Sequence, residues 1–176
     1  NKQRKLAKVI EFVAENSPNL HIVLDGDLIS NIEKLLLKDK AHVGIFPEYQ
    51  QVEGLNYSYL SHEPIYLCCS KKHIFFNTVD GQISPEDLAL VPAIHPGIDI
   101  DLAGREQLKK LNLSAMAYQF DTRKAMILSG KYIGFMPLSY IQQEMNNGEI
   151  RIFVIVNIHV LYLLFAVLDA CSQASR

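Results

Sequence analysis

The sequence predicts an α/β fold of two similar lobes, each a mostly parallel sheet flanked by helices, joined by crossing strands. Three observations predict it. Strand-like apolar runs alternate with amphipathic helical segments, which is the pattern of parallel sheets with crossover helices. Two segments, HVGIFP at 42–47 and YIGFMP at 132–137, share the order glycine, two apolar residues, proline. Each closes a strand, Asp-bearing turn, helix and short strand (20–47 and 115–137), so each reads as one compact right-handed crossover. Finally, 176 residues with 49% hydrophobic and 20% charged side chains suffice for one domain or two small lobes, and exclude disorder.

The elements follow in order. Leu6, Val9, Ile10 and Val13 recur at helical spacing, so 5–15 is an amphipathic helix closed by Asn16-Ser17-Pro18. Leu20 to Leu24 reads as a strand and Asp25-Gly26-Asp27 as a turn. Ile32, Leu35 and Leu36 mark a second helix, ending near Asp39. Ala41 to Phe46 is a strand stopped by Pro47, which lacks an N–H for a ladder bond. A polar loop at 48–54 leads to two extended runs, Asn56–Leu60 and Pro64–Ser70.

Ser84-Pro85-Glu86-Asp87 combines a hydroxyl cap, an early proline and first-turn acids, a strong helix start. Leu90–Ile94 is a strand, His95-Pro96-Gly97 a turn, Leu102–Leu111 a helix and Ala115–Phe120 a strand. Asp121 is placed to cap the helix that Gly130 ends in a left-handed stop. Tyr132–Met136 is the strand before Pro137, a helix runs to about Met145 with Gly148 behind it, and strands fill 150–168.

Composition also excludes functions. A net charge of −2 argues against nucleic-acid binding by this chain alone, and the basic cluster Lys2, Arg4, Lys5 and Lys8 reads as a solvated helix face. Three cysteines make no disulfide framework and favour a reducing compartment. Cys68 and Cys69 are strand neighbours pointing to opposite faces, small buried hydrophobes rather than a redox pair. The apolar stretch 152–168, broken by Asn157 and His159, is too short to span a bilayer, so no membrane segment is expected.

Ligands of open α/β sheets bind beyond the carboxyl ends of strands, where loops enter helices. Those loops are Asp25–Ser30, Phe46–Glu48, His95–Ile98 and Phe120–Thr122, two from each lobe. The candidate ligand-binding residues are therefore Asp27, Ile29, Ser30, Phe46, His95, Pro96, Gly97, Phe120, Asp121 and Thr122. Helix N-termini suit a carboxylate or phosphate, although Asp27 and Asp121 would already use two of them as caps. Phe46 and Phe135 line the hinge side or pack as core. No phosphate loop, metal-spaced cluster or nucleophile elbow is present, so no cofactor and no metal is expected and no catalytic acid/base pair can be named.

Taken in order, FVAENSPNLHIVLDGD, IEKLLLKDKAHVGIF, GLNYSYLSHEPIYLCCSKKH, ISPEDLALVPAI and FDTRKAMILSGKYIGFMPLSYI resemble the effector-binding (co-inducer) domain of LysR-type bacterial transcriptional regulators. The resemblance runs from about Leu6 to Leu168, and FDTRKAMILSGKYIGFMPLSYI carries the second-lobe signature. It implies a periplasmic-binding-protein-like clamshell with lobe I at 1–65 plus 150–176 and lobe II at 66–149. It further implies a small-molecule effector between the lobes, a homodimer or homotetramer, a cytoplasmic location and no enzyme activity. DNA would be contacted only through a winged helix-turn-helix outside this chain, as would the first strand of the lobe and the first effector loop. Two departures from the family pattern are His42, where an Asp is common, and the ending ACSQASR, which lacks an amphipathic closing helix. A transporter's solute-binding protein would share the clamshell, and an export signal would distinguish it.

Overall fold

A computed structural model describes residues 2–48, 50–97, 100–155 and 161–170. The order is α1 (Lys2–Asn16), α2 (Ile29–Leu37), β1 (Val43–Glu48), β2 (Leu55–Ser70), α3 (Pro85–Leu90), β3 (Pro92–His95) and α4 (Leu102–Leu108). There follow β4 (Asn112–Met116), α5 (Phe120–Leu128), β5 (Gly134–Pro137), α6 (Leu138–Asn146), β6 (Ile150–Ile152) and β7 (Leu161–Ala170). The ending 171–176, with Cys171, and the Asn157 and His159 that interrupt the apolar stretch lie outside the described residues.

One strand organises the rest. The two extended runs predicted around residue 60 are a single strand, β2, with a register irregularity between Tyr59 and Ser61. Its first part, from Leu55 to Ile65, pairs antiparallel with β7, which in turn pairs antiparallel with β1. Its last part pairs antiparallel with β5 (Ile65 opposite Pro137, Cys68 opposite Gly134) and with β6 (Cys68 opposite Ile152). Among the described residues parallel pairing occurs only in the second half, between β3 and β4, with an isolated parallel bridge from Ala93 to Ile133 beside β5. In the first half the described pairings are all antiparallel, against the mostly parallel sheet expected there.

The reason lies at 20–28. LHIVL alternates like a strand, yet this stretch is irregular and exposed, with Val23 75% accessible. A strand needs a ladder partner, and among the described residues this one has none. Pro47 does not end β1, which runs on to Glu48 along the sheet edge, where proline is tolerated. The predicted capping box is present: Ser84 Oγ accepts from Asp87 N (3.1 Å) and Asp87 Oδ2 from Ser84 N (2.9 Å).

Three apolar cores result. Leu36, Phe46 and Leu55 form a small one under α2. Cys69, Leu67, Leu88, Ala93, Ile133 and Phe135 belong to the second, and Cys68, Ile94, Ile127, Met136 and Ile141 to the third. Strand alternation thus sends neighbouring thiols into different cores. Burial raises both thiols, Cys69 to about 12, so neither is a reactive thiolate at neutral pH.

The repeated glycines have one explanation. A Cβ on Gly44 would lie 2.9 Å from Ile32 Cγ2 and Leu36 Cδ1 of α2. A Cβ on Gly134 would lie 3.3 Å from Ile127 Cδ1 of α5 and Ile94 Cδ1 of β3. In both units a helix packs directly on the strand that follows it, and only the missing side chain leaves room.

Candidate functional site

The carboxyl ends of β3 and β4 and the backbone of β5 converge on one side chain. Arg123 is 4% exposed on α5 and has no carboxylate partner among the described residues. Its Nη1 donates to Phe135 O (2.9 Å), and its Nη2 to Ala117 O (3.1 Å), Pro96 O (3.3 Å) and Tyr118 O (3.4 Å). Nε donates to Ala117 O (3.3 Å), so the whole fork is used on strand-end carbonyls. Burial pushes the guanidinium down to about 10, which leaves it cationic at neutral pH.

Above this clamp, α5 starts at Gln119, whose side chain makes no cap. Its first helical bond runs from Arg123 N to Gln119 O (3.0 Å), and Asp121 stands in the first turn rather than at the cap position expected for it. The Phe120 ring lies 4.7 Å from the Tyr140 ring of α6 and 5.0 Å from the Arg123 guanidinium carbon. A hollow of about 260 Å³ is lined here by Tyr118, Gln119, Phe120, Asp121 and Tyr140.

Two further contacts fix its walls. Glu63, on β2, is buried and accepts from Ser139 N (2.9 Å) at the start of α6. Lys124 bridges the helices, donating to Tyr140 O (3.1 Å) and Glu144 Oε1 (2.8 Å). Burial raises the Tyr140 phenol, and the carboxylates of Asp121 and Glu63 raise it further.

The other predicted residues distribute as follows. His95 is half-buried and its Nδ1 accepts from Gly97 N (3.0 Å), so this turn is closed by its own histidine. Pro96 gives its carbonyl to Arg123, and Gly97 (φ +117°) lies under the Tyr118 ring, 2.6 Å from where a Cβ would stand. Phe120, Asp121 and Thr122 share the first turn of α5, with Thr122 exposed. Ile98 of this loop lies outside the described residues.

In the first half, Asp27 does not occupy the cap position expected for it. Leu28 is the α2 N-cap, while Asp27 Oδ1 accepts from Leu28 N (2.7 Å) and Oδ2 from Asn31 Nδ2. Ile29 packs against the small core, Ser30 is half-buried beside it, and Phe46 is a core residue at 2% exposure. The hollow's lining therefore holds none of Asp27, Ile29, Ser30 or Phe46.

Sequence reasoning missed Arg123, Glu63, Tyr118 and Tyr140. A signal existed for Arg123, which precedes Ile127 by one helical turn and so shares its buried face.

This site lies on a chain whose family can be stated. Residues 3–168 match the LysR substrate binding domain. The chain belongs to that family. It is 26% identical over 149 residues to the HTH-type transcriptional activator BauR of Pseudomonas aeruginosa, covering 85% of this chain and 49% of BauR. The chain thus spans about half the length of that curated relative. Similar solved structures include the reduced regulatory domain of OxyR2 from Vibrio vulnificus, at TM-score 0.68 and 15% identity over 96% of this chain and 81% of that one. Full-length HypT, a hypochlorite-specific LysR-type regulator from Salmonella, matches at TM-score 0.66 and 13% identity over 96% and 59%. Full-length LysG from Corynebacterium glutamicum with bound effector Arg matches at TM-score 0.63 and 14% over 94% and 57%.

These likenesses show the fold of this LysR substrate binding domain: two-lobed and periplasmic-binding-protein-like. Among the described residues no group of His, Cys, Asp and Glu could hold a metal ion, and no helix is long and apolar enough to cross a membrane.

Proposed function

We propose that the chain is the ligand-sensing module of a LysR-type DNA-binding transcriptional regulator in the cytoplasm, and not an enzyme. One observation carries the reading. The hollow at the α5 N-terminus lies where strand ends are gathered by Arg123, and Glu63 of the crossing strand β2 caps the adjoining helix. A small effector bound there would touch the second half directly, and the joining strand β2 only through α6, where Tyr140 follows Ser139, the residue that Glu63 holds. Its differential affinity for two arrangements of the lobes is then the signal, a coupling of about 1–3 kcal/mol. LysG, solved with its effector Arg, supports a small molecule as the class.

Of the lobe bounds expected, 1–65 plus 150–176 and 66–149, the reading keeps the first crossing and moves the second. The packing of Ile150, Phe153 and Ile155 on the second-half cores supports a return crossing later than Ile155. A homodimer, or a homotetramer built from dimers, uses the apolar face of α1, where Leu6, Val9 and Phe12 are exposed. DNA is bound by a separate N-terminal domain, which agrees with the net charge of −2 here.

Footprinting of the full-length protein on its own upstream region tests the reading. Protection that small metabolites shift is the expected result. A full-length protein that binds no DNA overturns it. Light scattering on this chain should give dimers, and a strict monomer at high concentration removes the α1 interface.

A further inference from the structure

The hollow at the α5 N-terminus has a composition that narrows its ligand. Four groups near it could draw an anion; three are already engaged by hydrogen bonds, and the fourth, the uncapped α5 N-terminus, is opposed by the Asp121 charge in its first turn. The Arg123 fork is buried and spends its donors on the carbonyls of Pro96, Ala117, Tyr118 and Phe135. Lys124 is held by Tyr140 O and Glu144. The α6 N-terminus donates Ser139 N to the Glu63 carboxylate, and the α5 N-terminus carries Asp121 in its first turn. What lines the hollow is one carboxylate, the Gln119 amide and three aromatic residues, of which Phe120 already holds the Arg123 guanidinium on its ring.

Asp121 makes no hydrogen bond and no ion pair among the described residues, although Tyr118, Phe120 and Tyr140 surround the same space. Ring faces carry negative charge density and attract organic cations, most strongly where water is partly excluded. A carboxylate beside them completes a site for an ammonium head group. Glu63, whose charge also acts on the Tyr140 phenol, is a second negative charge near that wall.

We propose that this hollow takes a small organic ammonium group, held by the Asp121 carboxylate and the rings of Tyr118 and Tyr140, so that the effector is an amine or amino acid. The proposal rests on the effector-sensing reading above and replaces the carboxylate or phosphate that bare helix N-termini would favour.

Thermal unfolding with two probes of matched chain length, n-butylammonium chloride and sodium pentanoate, tests it against equal sodium chloride. At tens of millimolar, n-butylammonium should raise Tm by about 2–4 °C and pentanoate should not. Asp121→Asn, at an exposed position, should unfold within about 1 °C of the parent and lose the n-butylammonium shift. A shift with pentanoate alone overturns the ammonium site and leaves the sensing reading standing. An n-butylammonium shift that survives in Asp121→Asn places the cation elsewhere and overturns this site. No shift with either probe overturns the ammonium site and leaves the sensing reading to the footprinting test.

Discussion

The units α2–β1 and α5–β5 carry the same pattern and do different work. In both, a helix packs on the glycine of the strand that follows, and Leu36 and Ile127 fill equivalent buried places. One turn earlier on the same helix face the first unit has Ile32 and the second has Arg123. The isoleucine ends at the strand's glycine. The guanidinium reaches past it to carbonyls on β5 and on the segments after β3 and β4. The same architecture thus serves as simple packing once and as a clamp on strand ends once. One side-chain choice separates them.

That contrast can be broken most directly at the differing position. Arg123→Met leaves four carbonyl groups without their charged donor and should cost about 3 kcal/mol or more in urea unfolding. Ile32→Ala, at a half-buried place, should cost about 1–2 kcal/mol. If Arg123→Met proves the milder change, the clamp does not hold the strand ends.

The glycines sharpen the comparison at the next level. Gly44→Ala pushes a methyl group to 2.9 Å from two side chains and should cost about 1–3 kcal/mol, whereas Gly134→Ala, at 3.3 Å, should cost less than about 1 kcal/mol. Equal losses would mean that the two helices do not approach their strands differently.

Two smaller effects belong to the second half alone. Ser84→Ala removes the α3 cap and should cost about 1 kcal/mol by the same assay. The backbone amide of Ser84, and then its hydroxyl, hold the Asp87 carboxyl below its ordinary 3.8. Its contribution is present above that pH and lost as pH falls through the lowered value, so Asp87→Ala should flatten the acid limb of the stability curve, while Ser84→Ala, which keeps the amide, should leave most of it.

His73 is a base that burial lowers from 6.5, and its Nδ1 accepts from Phe75 N (3.2 Å). Its neutral form suits the fold, so stability is full above about pH 6.5 and declines as pH falls from there through the lowered value. His73→Phe should abolish that decline in urea midpoints measured from neutral pH downward. An unchanged slope would assign it to another group.

Much of this fold could be read before any coordinates. Ser84-Pro85-Glu86-Asp87 contains its own cap partners, and the Cys68–Cys69 alternation needs only strand periodicity. The paired glycine–proline segments announced two related units because close helix–strand contact leaves a local mark. Residues 20–24 misled, since LHIVL has the periodicity of a strand while pairing depends on a partner far away in sequence. The candidate site was half legible. Phe120 and Asp121 follow from the strand-end rule, but Tyr140 and Glu63 arrive from α6 and β2 through contacts that leave no local pattern.

β2 also has a mechanical consequence. Its hydrogen-bond partners change at Ile65, from β7 to β5, and two residues earlier it holds the start of α6 through Glu63. In the proposed sensing step, a swivel of one half against the other would twist the peptides around Pro64, where the two sets of pairings meet.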